Sequence, residues 1–168
     1  MIREVAERAK ATGCLGKTDI GALVVWKRLS AQTPWVSKLM SLPDMDVRCI
    51  TARAVQAARD TGVSRAEAAQ AGRGIVWELP GFRTGDAPAS AVLTAAAPQR
   101  MTVYDRRVQQ ALQTLGFTLS RAPGRYGRYM NLLDTLLSQG GQQADGCTAR
   151  DLETALYWIG GNTPSAIS

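Results

Sequence analysis

The sequence predicts an all-α protein, a compact array of eight or nine short helices that contains a helix-hairpin-helix. Three observations lead to this prediction. Apolar residues recur at helical spacing through nearly the whole chain. Capping residues and glycines, which start and end helices, follow one another at short intervals. No segment alternates apolar and polar residues convincingly as a strand does. The segment 101–104 could be mistaken for a strand, and we expect it to be a connector.

Five helices are predicted before the hairpin, over residues 1–10, 19–30, 34–41, 43–60 and 65–79. Their start signals are Thr18, the pair Thr33–Pro34, Pro43, and a capping box from Ser64 to Glu67. Their stop signals include Gly13 and Gly62. Helical spacing marks these inward residues: Val5, Ala6, Ala9, Ile20, Leu23, Val24, Leu29, Val47, Ile50, Ala54 and Val55.

Four helices are predicted after the hairpin, over residues 87–97, 105–115, 127–139 and 148–159. Glycines end three of them, at Gly116, Gly140–Gly141 and Gly160–Gly161. The helix that follows Asp105 places Val108, Ala111, Leu112 and Leu115 on one face. We expect one helix-hairpin-helix domain over residues 1–161 and a frayed tail over residues 162–168.

The composition excludes several kinds of chemistry. The chain contains no histidine, and its three cysteines stand at spacings that fit no metal signature. Ser-His-Asp and Cys-His catalysis and the usual zinc sites are therefore excluded, and we expect no metal and no cofactor. No apolar run reaches the length of a membrane span, and no signal-peptide core follows the N-terminus. We expect a cytoplasmic protein without a membrane partner.

Positive charge is concentrated in one region. The chain carries a net charge of +6, and residues 99–129 alone contain six arginines and one acid, Asp105. A basic patch of this kind suggests a polyanion partner, with nucleic acid first among the possibilities. A solubilising surface explains the charge equally well.

The segment 77–93 has the pattern of a helix-hairpin-helix. Pro80 and Gly81 form a sharp turn, and Gly85 can adopt positive φ. The helix that follows would present free N–H groups and its positive dipole end to a phosphate. Small residues at positions 87 and 89–91 would let the two helices pack closely. An ordinary αα-hairpin is the alternative.

Asp105 stands at the start of the next helix but one, 24 residues after Gly81. An aspartate at this position is among the best N-caps, and capping alone is a sufficient explanation for it. A helix N-terminus also stabilises an ionised carboxylate, so a catalytic anion is the second possibility.

Taken together, residues 77–116 resemble the helix-hairpin-helix DNA glycosylases, the superfamily of endonuclease III and 8-oxoguanine DNA glycosylase. The resemblance rests on "LPGF", the small-residue helix and the aspartate before "RRVQQALQTLG". It implies that Gly81 and Gly85 donate backbone N–H groups to a phosphate of double-stranded DNA, with Arg83 projecting from the loop. It also implies that Asp105 stabilises the oxocarbenium-like sugar while a base is excised and helps to position or activate water.

Other arginines complete the expected DNA-binding set: Arg106, Arg107, Arg125 and Arg128. Bifunctional members of the superfamily carry a lysine near the start of the helix after the hairpin, where this chain reads "GDAPAS". The iron–sulfur cysteines of endonuclease III are also absent. The resemblance thus implies a monofunctional hydrolase that makes no covalent adduct. The alternative is a DNA-binding or interaction module that keeps the fold without catalysis.

Aromatic residues are the remaining candidates for a base pocket. Tyr126 and Tyr129 alternate with arginines and could stack a base, although packing with their hydroxyls outward is favoured slightly. Trp26, Trp35 and Trp77 are expected in the core. Glu67 and Glu78 are the candidates for a second acid.

Overall fold

The computed structural model describes residues 1–27 and 34–162 of the chain. Within them, nine α-helices and one 3-10 helix form the regular structure, without a strand, which confirms the predicted all-α array. The elements are α1 (Ile2–Thr12), α2 (Lys17–Trp26), α3 (Pro34–Ser41), α4 (Asp44–Arg59), α5 (Arg65–Val76), α6 (Ala87–Ala96), α7 (Arg106–Thr114), α8 (Arg125–Gln139), the 3-10 helix (Gly141–Ala144) and α9 (Ala149–Asn162). The predictions for Leu29, Thr33 and the tail beyond residue 162 lie outside the described residues.

Several predicted boundaries are confirmed by hydrogen bonds. The Ser64 hydroxyl accepts from the backbone N–H of Glu67 at 3.2 Å, and the Glu67 carboxylate accepts from the N–H of Ser64 at 2.9 Å, which completes the capping box at the start of α5. Gly13 ends α1 with a φ of 71°. The inward faces are also largely as predicted, although Ile50 is only half-buried.

The start of α2 differs from the prediction. Thr18 lies inside the helix, and the preceding N–H of Gly16 is bound instead by the carboxylate of Asp19, at 2.9 Å. That carboxylate also accepts from Arg8 Nε at 2.7 Å, and the side chain is only 7% exposed. The N-cap is therefore Gly16, which has no side chain to cap the helix, and Asp19 satisfies the N–H of Gly16 from within the first turn.

Four other boundaries shift by a few residues. Pro43 precedes α4 instead of opening it, and α5 ends at Val76 instead of residue 79. The helix α8 begins at Arg125, directly after Gly124, whose φ is 84°. Leu115 follows the last residue of α7 and is half-exposed, because the chain has left the helix before that side chain could join the buried face.

The predicted helix stop at Gly160–Gly161 is wrong, because α9 continues through both residues to Asn162. Gly160 is buried against α7, and a Cβ at this position would overlap the carbonyl oxygen of Arg107. The glycine thus allows two helices to approach closely and does not end one of them.

The helix α6 lies at the centre of the array. Its residues 89–96 are all buried, and it packs against α1, α2, α4 and α5. Most of these residues are alanine, serine or threonine, so their small side chains let four neighbouring helices come near one axis. On either side of this centre, α5 packs on α4 and α8, and α7 packs on α9.

The connector 101–104 joins α6 to α7 through the interior. All four of its residues are buried, and none forms a strand. The hydroxyls of Tyr126 and Tyr129 donate to the carbonyls of Thr102 and Val103, at 2.7 and 3.1 Å. The prediction that these tyrosines point their hydroxyls outward is therefore wrong, and neither ring is accessible for base stacking.

We predict that Gly160→Ala destabilises the protein by about 1–3 kcal/mol, because the added methyl group forces α9 away from α7. Gly74→Ala is the matched control in α5, where a Cβ meets nothing within 4 Å. It should stabilise the fold by about 0.5–1 kcal/mol, the usual gain from glycine to alanine in a helix. Urea unfolding measures both values, and equal effects would contradict the close packing at residue 160.

Candidate functional site

Asp105 is fixed at the end of the buried connector. Its backbone is extended, with φ −129° and ψ −176°, and its Oδ1 accepts from the N–H of Val108 at 3.1 Å. The predicted N-cap is therefore confirmed. The preceding residue, Tyr104, donates its backbone N–H to the hydroxyl oxygen of Ser90 on α6, at 2.9 Å. The position of the carboxylate is thus set by the central helix.

The second oxygen of Asp105 forms an ion pair with Lys27. The ammonium donates a short hydrogen bond to Oδ2, and the two side chains are only 11–12% exposed. Lys27 directly follows α2, and its ammonium also lies 5.4 Å from the ring centroid of Trp26 and 6.0 Å from that of Tyr157. The paired charges are therefore shielded from water by aromatic rings.

An open cleft of about 560 Å³ lies beside this pair. Lys27 lines it, which places the carboxylate of Asp105 one side chain away from the cleft. The other lining residues include three aromatic rings, two arginines and one acid: Trp26, Tyr157, Trp158, Arg107, Arg150 and Glu153. Its size falls within the range of about 300–1,000 Å³ that is usual for small-ligand sites.

Glu153 is the second acid of the site. It projects from α9, is 4% exposed, and forms a short ion pair with Arg150. The pKa of Glu153 is raised to about 7, chiefly by burial and also by the negative charge of Asp105, against the opposing effects of Arg150 and Lys27. The two acids predicted for this role are occupied elsewhere, because Glu67 caps α5 and Glu78 pairs with Arg53 at 2.5 Å.

The predicted DNA-binding arginines lie in different surroundings. Arg106 and Arg107 are both exposed. The guanidinium carbon of Arg107 lies 4.7 Å from the ring centroid of Tyr157, in the cleft beside Asp105. Arg125 is mostly buried and donates to Asp86 at 2.7 Å. Arg128 donates to three backbone carbonyls of the segment 120–123, so it supports that loop.

The hairpin loop between α5 and α6 has a φ of 75° at Gly85, where the sequence predicted a positive value, and also a φ of 85° at Gly81. A Cβ at Gly81 would overlap the indole of Trp35, so packing requires this glycine independently of any ligand. Gly85 is exposed with open space around it, and Arg83 is exposed in the same loop. The structure therefore leaves the second half of the loop available to a ligand.

The tryptophans are divided between the core and the surface. Trp35 packs edge-on against the buried ring of Phe82, with 6.0 Å between the centroids, and Trp26 also packs against the core. Trp77 is 50% exposed, which contradicts the expectation that it is a core residue. Trp158 is 63% exposed at the cleft beside Asp105.

The described part of the chain has neither a metal-binding cluster nor a membrane-spanning helix. It contains no cluster of three or more His, Cys, Asp or Glu side chains that could hold a metal ion. None of its helices combines the length and the apolar character that crossing a membrane requires.

The chain was compared with protein-family models, with curated proteins and with solved structures, and none of them matches it.

Lys27 and Glu153 are the functional candidates that the sequence analysis missed. A signal for both was present in the helical spacing. Lys27 continues the buried stripe of Ile20, Leu23 and Val24, and Glu153 falls between the buried Ala149 and Leu156. A charged residue on an apolar helix face is a candidate for a buried ionic or catalytic group.

We predict that ionisation of Glu153 weakens the fold as the pH rises from about 4.5 to about 7. In this range the unfolded chain has lost the proton and the folded chain retains it, so the free energy of unfolding falls with rising pH. The loss should reach up to about 3 kcal/mol, since one unit of pKa corresponds to about 1.4 kcal/mol. Urea unfolding across this range should show the slope in the wild type and a reduced slope in Glu153→Gln. An unchanged slope would contradict the shifted pKa.

Proposed function

We propose that the protein binds double-stranded DNA and excises a modified base by hydrolysis of the N-glycosidic bond in the cleft beside Asp105. One observation carries the proposal. A nearly buried carboxylate, fixed by its own helix and by the central helix, stands one side chain away from a cleft lined by aromatic rings and arginines. The aromatic rings suit a flat, neutral base, and the arginines suit the negative phosphates beside it. The carboxylate suits the positive charge that develops on the sugar.

The proposed reaction needs an anion at the sugar and a proton for the departing base. A water oxygen bonds to C1′ of the sugar as the C1′–N bond breaks, and the electron pair of that bond leaves with the base. Asp105 stabilises the positive charge on the sugar, as a preorganised anion does most effectively away from water. Glu153, whose pKa of about 7 keeps much of it protonated near neutral pH, supplies the proton that the leaving base takes up. The attacking water releases one proton to solvent as it bonds to C1′, and Glu153 regains a proton from solvent.

The surroundings of the cleft support DNA as the partner. Arg107 and Arg150 line it, and Arg106 is exposed beside Arg107, so the opening is positively charged. Tyr157 and Trp158 provide aromatic surface on α9 for a base that has left the stack. The resemblance of residues 77–116 to the helix-hairpin-helix glycosylases agrees with this partner.

Hydrolysis is favoured over attack by an amine, even though a lysine lies at the site. Lys27 holds its ammonium in an ion pair with Asp105 and between two aromatic rings. An ammonium in this position has no free electron pair with which to attack the sugar. We therefore assign Lys27 to positioning the carboxylate, and the reaction remains monofunctional.

A non-catalytic DNA-binding module is the second candidate, and one observation favours it. Both oxygens of Asp105 already have partners, the N–H of Val108 and the ammonium of Lys27. A carboxylate that is so fully engaged can serve the fold alone. The experiments below separate the two functions.

We predict that Asp105→Asn reduces base excision by about a hundredfold or more, because the amide cannot offset positive charge on the sugar. Asp19→Asn is the matched control, since Asp19 is also a buried acid at a helix start and also pairs with a basic residue. Each substitution should cost on the order of 2 kcal/mol of stability, between the usual values for exposed and buried ion pairs. Asp19→Asn should retain excision.

The assay uses oligonucleotide duplexes with oxidised, alkylated and deaminated bases, and thermal melts of each variant. Excision by Asp105→Asn at the wild-type rate would show that Asp105 is only a cap. Salt-dependent DNA binding without excision of any base by the wild type would establish the non-catalytic module. Absence of DNA binding at low salt would contradict both functions.

We also predict that borohydride traps no covalent complex between the protein and DNA, because hydrolysis passes through no Schiff base. Strand cleavage should likewise be absent, and the product should be an intact strand with an abasic site. The control is Lys27→Arg, which keeps the positive charge and removes the primary amine. A complex that forms with the wild type and disappears in Lys27→Arg would identify Lys27 as a nucleophile and overturn hydrolysis.

A further inference from the structure

A second cleft, of about 470 Å³, lies between α5, the end of the hairpin loop and the first turn of α8. It is distinct from the cleft beside Asp105, since the two have no lining residue in common. Four arginines and one aspartate are the charged residues that line it: Arg73, Arg83, Arg121, Arg125 and Asp86. Three positive charges are therefore left without a matching negative charge in the lining.

In the buried part of the cleft, two arginines are held in fixed orientations. Asp86 accepts from Arg73 Nε at 3.0 Å and from Arg125 Nε at 2.7 Å, so one carboxylate orients two guanidinium groups. Arg73 also donates to the carbonyl of Gly85 at 3.0 Å. Its remaining nitrogen, Nη1, is buried and has no hydrogen-bond partner among the described residues. Arg73 is thus held by two acceptors while it lines the cleft.

The rim of the cleft contains two arginine side chains and the N-terminus of α8. Arg83 and Arg121 are exposed and have neither an ion pair nor a hydrogen bond within the described residues. The first turn of α8 forms part of the lining, and no side chain caps it, because the preceding residue is Gly124. Guanidinium groups and a free helix N-terminus both favour phosphate.

An aromatic ring stands beside these cations. Trp77 lines the cleft and is 50% exposed, and the guanidinium carbon of Arg73 lies 5.3 Å from its ring centroid. Trp77 is thus half-exposed, and a ligand in the cleft can reach it. A phosphate site with an adjacent exposed indole matches a nucleotide, whose base can stack while its phosphate is bound by arginines.

We propose that this cleft binds a nucleotide unit, with the phosphate at Arg73 and Arg121 and the base on Trp77. The unit can belong to a free nucleotide or to a single strand of nucleic acid, because both present a phosphate and an unpaired base. The proposal does not require base excision, because no residue of the cleft beside Asp105 takes part.

The test is calorimetric titration of the full chain with thymidine 5′-monophosphate, thymidine, inorganic phosphate and a thymidylate tetramer. The monophosphate should bind at least tenfold more tightly than either thymidine or phosphate. A tetramer that binds more tightly than the monophosphate identifies a strand as the source, and a tetramer that binds no more tightly identifies the free nucleotide. Binding of phosphate as tightly as of the monophosphate would overturn the proposal, as would no binding of either nucleotide probe.

Two substitutions locate the site. Arg121→Gln and Trp77→Ala should each weaken binding of the monophosphate about tenfold, while Trp77→Phe retains most of it. Arg3→Gln is the control for net charge, because Arg3 is an exposed arginine of α1 outside the cleft. Equal weakening by Arg3→Gln and Arg121→Gln would show that the binding is nonspecific attraction and would overturn the proposal. Thermal melts verify that each variant is folded.

Discussion

The candidate site depends on the hydrogen bonds that the interior provides for one buried segment of backbone without helix or strand. Residues 101–104 cross the core without a neighbouring strand, and their polar groups must still find partners. Ser90 receives the N–H of Tyr104, and the hydroxyls of Tyr126 and Tyr129 donate to Thr102 and Val103. These side chains come from the central helix and from α8. Asp105 is therefore positioned by two elements that are themselves packed in the core.

The charged groups around Asp105 form a small set in which cations outnumber acids. Lys27, Arg107 and Arg150 surround the two acids Asp105 and Glu153, and most of these groups have little contact with water. Such a set can stabilise an anion at one position and keep a second acid protonated at another, because burial opposes the second negative charge. A chain without histidine thus still has a group that changes its charge near neutral pH.

Local signals in the sequence predicted much of the fold and part of the site. The capping box at Ser64, the end of α1 at Gly13 and the cap at Asp105 depend on residues within a few positions of one another, and all three are as predicted. Gly160 was misjudged because its role is set by Arg107, on a helix about fifty residues earlier in the chain. The ion pair between Lys27 and Asp105 joins residues 78 positions apart, so spacing along the chain could not indicate it.

The contact between Trp35 and Gly81 joins α3 to the turn of the hairpin, and it makes position 35 dependent on position 81. The indole occupies the space that any side chain at residue 81 would need, and the backbone there has a φ of 85°. A side chain at this φ is strained whatever residue stands at position 35, so glycine should persist at position 81 among descendants of this chain. Position 35, in turn, can keep a large aromatic residue only as long as that glycine is present.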